Sequence, residues 1–348
     1  MERGVRHTWI ILGLPLLLRL LAINCKVEAD MPKTTSEIPL SAVPVDGASA
    51  ISEVQLVPGE KSIELLYSMT RPLTANGRGY ETSISSIGIG NDGHPSLRLL
   101  AIPQLLAPPP SWDAAPASPG LYSVVYEKAL GATFTLLLRD AKQAETAVTA
   151  DYPFESFTKP HFIKGSQEDS SRMLTAISDE KSAVLFTRGP DGRYQKRVKL
   201  CDCGSAMILR YQRELLLFYK VVTPGPVRGN LIQPGTLRYV TLRSDFVPAG
   251  TPVEALPGSV VFEFDVAAHE GNLAILATTK SGTILARGAS LKEPLRLDAF
   301  EEKKKGELAS CPSVLLTDSR VDVAILESAQ TRQARVLIGS APEIEQGH

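Results

Sequence analysis

A short apolar strand returns six times along this chain, at residues 97–101, 134–138, 184–187, 237–242, 283–286 and 334–338. Centred on Leu99, Leu137, Leu185, Val240, Leu285 and Val336, the copies stand 38, 48, 55, 45 and 51 residues apart. Between them, β-branched and aromatic residues fall in short runs separated by Gly, Pro, Asp and Asn, and no long amphipathic helix interrupts the pattern. One such unit cannot bury its apolar faces alone, and the period brackets the roughly 40–50 residues of a four-stranded propeller blade. The expected fold is all-β: a β-propeller of six blades, or seven if a long loop hides further strands.

A length of 348 residues suits one closed array of repeats better than two separate cores. Hydrophobic residues make up 43% and charged ones 22%, which excludes a polytopic membrane protein and a wholly disordered chain. Lys+Arg (37) and Asp+Glu (38) cancel, so there is no basic field to draw the chain onto nucleic acid.

Arg3 and Arg6 precede an apolar stretch at 8–23, and Val27 and Ala29 stand at the positions a signal peptidase reads. Residues 1–29 are therefore read as an export signal, with an uncleaved membrane anchor as the alternative, and the expected location is secreted, periplasmic or cell-envelope. Cys25 follows a poor lipoprotein box and offers lipidation as a further route to the membrane. A start at Met31 would remove the export argument. With the signal removed, Cys201, Cys203 and Cys311 remain. Cys201 and Cys203 alternate along a strand end, so they can be small packed side chains, a local disulfide or part of a soft-metal site. Their connectivity with Cys311 stays open.

Residues 30–50 read as a flexible tether, lending a strand near its end; residues 51–342 form the propeller and 343–348 a tail. The clearest units are 205–255 and 260–297, where two-residue alternation and turn chemistry agree. The last, 313–340, is short, as expected if another part of the chain completes its sheet. Residues 103–120, with Pro108, Pro109 and Pro110, read as a stiff extended loop carrying Trp112. Residues 88–93 read as a hairpin loop rather than a phosphate or calcium site, and 301–307 as a solvated loop.

Where third and fourth strands of successive units meet, the chain carries Arg139-Asp140-Ala141, Arg188-Gly189-Pro190-Asp191-Gly192, Arg243-Ser244-Asp245-Phe246 and Arg287-Gly288-Ala289-Ser290. In layout these turns resemble the aspartate-box turns of sialidase-like propellers, although none has the closing Trp. The resemblance implies an arginine cluster for a substrate carboxylate and a tyrosine nucleophile activated by a glutamate. The matching candidates are Arg71, Arg210 and Arg243 for the cluster, and Tyr219 or Tyr239 with Glu263. No Gly-x-Ser-x-Gly elbow, His-Glu-x-x-His helix or phosphate loop is present, and His94, His161, His269 and His348 are scattered.

The functional expectation is an exported, non-catalytic propeller that binds a glycan or protein partner through loops at one end. Its ligand contacts are expected from Trp112, Arg71, Arg210, Tyr219, Tyr239 and Arg243, with no catalytic residue, metal or cofactor. The alternatives are a sialidase-like exo-glycosidase and a structural subunit of a cell-envelope complex.

Overall fold

The computed structural model describes residues 36–43, 51–59, 62–72, 79–89, 97–104, 109–118, 120–130, 133–222, 233–300, 307–318, 320–329 and 335–342. Residues 1–29, read above as an export signal, with Cys25, and most of the 88–93 and 301–307 loops lie outside these residues.

Two three-residue strands come first, β1 (Ser36–Ile38) and β2 (Ser41–Val43). Six antiparallel meanders follow among the described residues. They are β3 (Ile51–Pro58), β4 (Ile63–Pro72), β5 (Tyr80–Gly88) and β6 (Leu97–Gln104), then β7 (Trp112–Ser118), β8 (Leu121–Leu130), β9 (Thr133–Arg139) and β10 (Glu145–Ala147). The third comprises β11 (Phe157–Phe162), the helix α1 (Gln167–Arg172), β12 (Met173–Ser178), β13 (Ser182–Arg188) and β14 (Tyr194–Asp202). The fourth comprises β15 (Ala206–Tyr211), β16 (Glu214–Val222), β17 (Gly235–Leu242) and β18 (Pro248–Glu254). The fifth runs through β19 (Val261–His269), β20 (Asn272–Thr279), β21 (Gly282–Gly288) and β22 (Arg296–Phe300). The sixth has β23 (Glu307–Leu316), β24 (Arg320–Ala329) and β25 (Arg335–Pro342), with β2 antiparallel to β25 as its fourth strand. β1 adds in parallel to β22 of the fifth. The first strands touch in cyclic order, β3, β7, β11, β15, β19, β23 and back to β3, so the meanders close a ring around an axis.

The second strand of each meander is apolar on both faces because each face meets a different neighbour. In β20, all buried, Leu273, Ile275 and Ala277 enter the core shared with the fourth meander, while Ala274 and Leu276 enter the core shared with the sixth. β16 divides likewise, Leu216 and Phe218 against Leu215 and Leu217, and so does β13, the third strand of its meander, with Val184 and Phe186 against Ala183 and Leu185. Six apolar clusters result, one at each junction between meanders. This double-sided burial is what makes the repeats visible as continuous apolar runs. The β19–β20 turn uses Glu270 (φ 45°) and Gly271 (φ 84°), both in the left-handed region that a two-residue hairpin matching the strand twist requires.

The aspartates of the sialidase-like turns work as local caps. Asp140 Oδ1 accepts from the N–H of Lys142 (2.9 Å) and of Ala144 (2.8 Å), Asp191 Oδ1 from Arg193 N, and Asp245 Oδ1 from Val247 N. The stretch 103–120 departs from expectation: it holds the end of β6 and all of β7, with Trp112 inside a strand rather than on a loop. Pro116 is tolerated because β7 pairs on one side only and shifts register between Pro116 and Ser118. Cys201 and Cys203 are joined in a disulfide and Cys311 is free.

Candidate functional site in the axial pocket

An inner strand has a sheet partner on one side, so the N–H groups on its axial edge need acceptors from elsewhere. Side chains from the preceding meander supply them. Glu53 Oε2 accepts from Trp112 N (3.2 Å), and Gln55 exchanges two bonds with Ala114 (2.9 and 2.8 Å). Asp113 Oδ2 accepts from Phe162 N and Glu127 Oε1 from Lys159 N, both at 2.7 Å. Glu263 Oε2 accepts from Cys311 N (2.7 Å), Asp265 Oδ2 from Val314 N (2.9 Å), and Ser313 Oγ from Leu56 N (2.9 Å), which closes the ring. At the third junction Lys164 and the Ile208–Arg210 backbone exchange N–H···O bonds directly, and at the fourth the Lys220 ammonium donates to Phe262 O.

Four inner strands also shift register near their beginnings: β3 between Ile51 and Glu53, β11 between Thr158 and His161, β19 between Val261 and Glu263, and β23 between Ser310 and Ser313. Bulges re-aim side chains and interrupt pairing. Lys159 (φ 49°) and Cys311 (φ 48°) occupy the left-handed region in two of them, each followed by a proline. The bulges surround a cavity of about 160 Å³ lined by residues from all six inner strands or their approaches, Glu53, Asp113, His161, Ser205, Glu263 and Cys311 among them.

The charges in this cavity are coupled. Burial pushes Glu53 well above the usual carboxylate range against the pull of the Trp112 N–H, and the charges of Glu127, Glu263 and Asp113 push the same way. Burial lifts Asp113 to about 6 despite Lys164 and the Phe162 N–H. His161 is lowered to about 3 by burial and by Lys164 and Lys159, so it faces Asp113 at 4.0 Å as a neutral ring. Burial works against the charge on Lys164, but its ion pair with Asp265 and the nearby Asp113 raise its pKa above the ordinary value. Lys220 is brought down to about 8 by burial and by Lys159. Cys311, held well above its ordinary range by burial and by Glu263 and Glu53, stays a thiol and donates to Ser52 O at 3.4 Å. Glu53 and Glu263 thus flank the Cys311 bulge, each with one oxygen committed to a neighbouring strand N–H.

Of the sequence candidates, Trp112 and Glu263 line this cavity. Trp112 is 3% exposed and its Nε1 has no hydrogen-bond partner. The three arginines do not come together there. Arg71 is exposed at the end of β4, its Nη2 3.7 Å from Met69 Sδ; Arg210 pairs with Asp169 at 2.7 Å; Arg243 pairs with Asp245 in an exposed turn. Arg71 sits on the first meander and Arg210 and Arg243 at separate strand ends of the fourth, where solvent and local aspartates hold them. Tyr219 is buried in the core between the third and fourth meanders, and Tyr239 packs on Phe218. Glu53, Asp113, Lys159, Lys164 and Lys220 are absent from the sequence candidates. One signal pointed to the place: Lys159-Pro160 and Cys311-Pro312 put a proline inside a strand-like run, where only an edge or a bulge accepts it.

At the turns beyond β19 and β23, donor atoms of His269, Glu270 and Asp318 lie within 4.8 Å of one another, an exposed set able to ligate a metal ion.

No protein-family model matches the chain, and no curated protein matches it in sequence. Solved structures do match in fold. The α-L-arabinofuranosidase of Fusarium graminearum superposes with a TM-score of 0.56 at 9% identity, covering 90% of this chain and 98% of that one. Trypanosoma rangeli sialidase superposes with a TM-score of 0.51 at 10% identity, covering 88% of this chain and 58% of that one. The β-propeller of sialidase-like layout is therefore the fold. The expectation of a non-catalytic binding propeller is corrected here: the two propellers that superpose are an arabinofuranosidase and a sialidase, and the axial pocket carries carboxyl groups which that expectation left without a role.

Proposed function

We propose that this protein is an exo-acting glycoside hydrolase whose reaction takes place in the axial pocket. The observation that supports it is the Glu53–Glu263 pair flanking the Cys311 bulge, in which Glu53 is pushed well above the usual carboxylate range by burial, with the charges of Glu127, Glu263 and Asp113 adding to it. A pair of carboxyl groups, one of them favoured in its acid form, is the usual equipment for cleaving a glycosidic bond.

In this reading Glu53 protonates the leaving glycosidic oxygen, and Glu263 takes a proton from the water that adds to the anomeric carbon. Asp113 and the neutral His161 shape the pocket floor beside them, and Trp112 is kept as a sugar contact. A cavity of about 160 Å³ accepts one sugar residue at the end of a chain rather than a chain threaded through. The glycan is the proposed partner, and export through residues 1–29 is part of the same proposal.

The test is a panel of 4-nitrophenyl glycosides and linear oligosaccharides, with iminosugar binding followed by calorimetry. Hydrolysis of at least one substrate is expected, falling about 10²–10⁴-fold in kcat in Glu53→Gln and Glu263→Gln with folding retained. An iminosugar ammonium should bind the wild type and lose affinity in Glu263→Gln. No cleavage together with no iminosugar binding overturns the reading.

A further inference from the structure

Other buried cations in this protein have partners. Arg287 pairs with Asp298 at 2.7 Å and also donates to Pro342 O, Lys164 pairs with Asp265, and Lys220 donates to Phe262 O. Arg139, the last residue of β9, is different. The residue is half-buried. Its Nε is shielded from solvent and unpartnered, and its side chain makes no hydrogen bond or ion pair among the described residues. A shielded N–H is rarely left so, because burying it without an acceptor costs free energy.

The carboxylates nearest in chain and register are engaged by other groups. Asp140 Oδ1 caps its own turn, and Glu145, directly across the β9–β10 ladder from Arg139, accepts from the Tyr126 hydroxyl. Arg139 instead lines a cavity of about 210 Å³ between the first and second meanders. Leu99 and Leu100 of β6 and Leu121 and Val124 of β8 form its apolar walls, Asp140 and Gln143 of the β9–β10 turn its polar edge, and Leu121 stands half-exposed. The site is separate from the axial pocket. Trp112 and Tyr126 face each other at the axial end of the β7–β8 ladder, Ser118 and Leu121 at the opposite end. Five residues of strand, about 17 Å at roughly 3.3–3.4 Å per residue, lie between Leu121 and Tyr126.

We propose that this lateral cavity binds a small organic acid, a carboxylate or phosphate head on a short apolar body. The head completes the planar fork of Arg139, and the body replaces water against Leu99, Leu100 and Val124. At about 30 Å³ per water the volume holds about seven waters' worth of ligand, the size of a short acyl chain or a single ring. The inference does not depend on the glycosidase reading.

The experiment titrates hexanoate, hexyl phosphate and, as uncharged control, 1-hexanol into the full 348-residue chain at neutral pH, followed by calorimetry and thermal shift. At least one anion should bind saturably, at least tenfold more tightly than hexanol, and lose at least tenfold in affinity in Arg139→Met. Unliganded Arg139→Met should melt no lower than wild type, since the change removes a shielded N–H that has no acceptor; a merely structural arginine would lower it. Leu121→Glu, at the exposed rim, supplies a competing carboxylate and should also block binding, which keeps the test intact if Arg139→Met fails to fold. The proposal is overturned if neither anion exceeds hexanol, or if both variants bind as wild type does.

Discussion

The molecule holds its meanders together in two different ways. Between the sheets, six apolar clusters built from both faces of the second strands exclude water without directionality. At the axis the contact is polar and directional, a carboxylate, amide or hydroxyl of one meander accepting from a backbone N–H of the next. The contrast separates what makes a propeller from what makes this propeller. Apolar faces can be exchanged for others of similar volume, whereas each axial acceptor must meet one particular N–H. It also explains why carboxyl groups accumulate at the axis. They are recruited there by unpaired strand edges, and a pocket rich in carboxyls with perturbed protonation is the consequence.

Substitutions can break this comparison, starting with the largest effects. Asp265→Ala leaves Lys164 without its counter-ion and Val314 N without its acceptor, and should lower unfolding stability by about 3–5 kcal/mol in a urea titration. Phe186→Ala, in the apolar cluster of the second and third meanders where the ring meets Phe157 edge-on at 5.2 Å, should cost about 3–4 kcal/mol. If the first loss were no greater than that of a surface aspartate, the axial ring would be ornament on an apolar scaffold.

Asp113 sharpens the comparison through pH. Its carboxyl is held at about 6 in the folded chain against 3.8 ordinarily. Between these values the unfolded chain has released the proton and the folded one retains it, so stability falls as pH rises from about 4 to 6. The expected decline is about 3 kcal/mol, and Asp113→Asn should flatten that part of the stability–pH curve. The smallest effect belongs to single neutral acceptors. Ser313→Ala, which strands Leu56 N at the closing junction, should cost about 1–2 kcal/mol by the same urea measurement.

The same division decides what was legible in the sequence. β16 and β20 announce themselves because every residue of Leu215–Tyr219 and Leu273–Thr279 is buried against one neighbour or the other, and such runs need no partner sequence to be recognised. The sialidase-like turns were readable because an aspartate caps its own backbone within four residues. The axial pocket was not readable in this way. Glu53, Asp113, His161, Ser205, Glu263 and Cys311 come one from each meander, dozens of residues apart, and only ring closure brings them together. The arginines and tyrosines were chosen by residue type from a resemblance in layout, and they do not converge: Arg210 and Arg243 pair with Asp169 and Asp245, and Tyr219 and Tyr239 pack within β16 and β17. Trp112 was visible as the sole tryptophan beyond residues 1–29, but its proline-rich surroundings disguised a strand.

The pairing of β1 and β2 with strands from the far end of the chain has a consequence for synthesis. Ser41 meets Ile338, roughly 300 residues later, and Ser36 meets Asp298. At roughly 5–20 residues per second the first-made strands wait about 15–60 s for their partners. Throughout that interval the first meander lacks the sixth beside it, and the Ile51, Leu65 and Tyr67 surface that packs on Ala324 and Leu326 stays open to solvent. The emerging chain is thus an incomplete ring with a sticky leading face, and the latch that completes it is the part of the polypeptide that has been available longest.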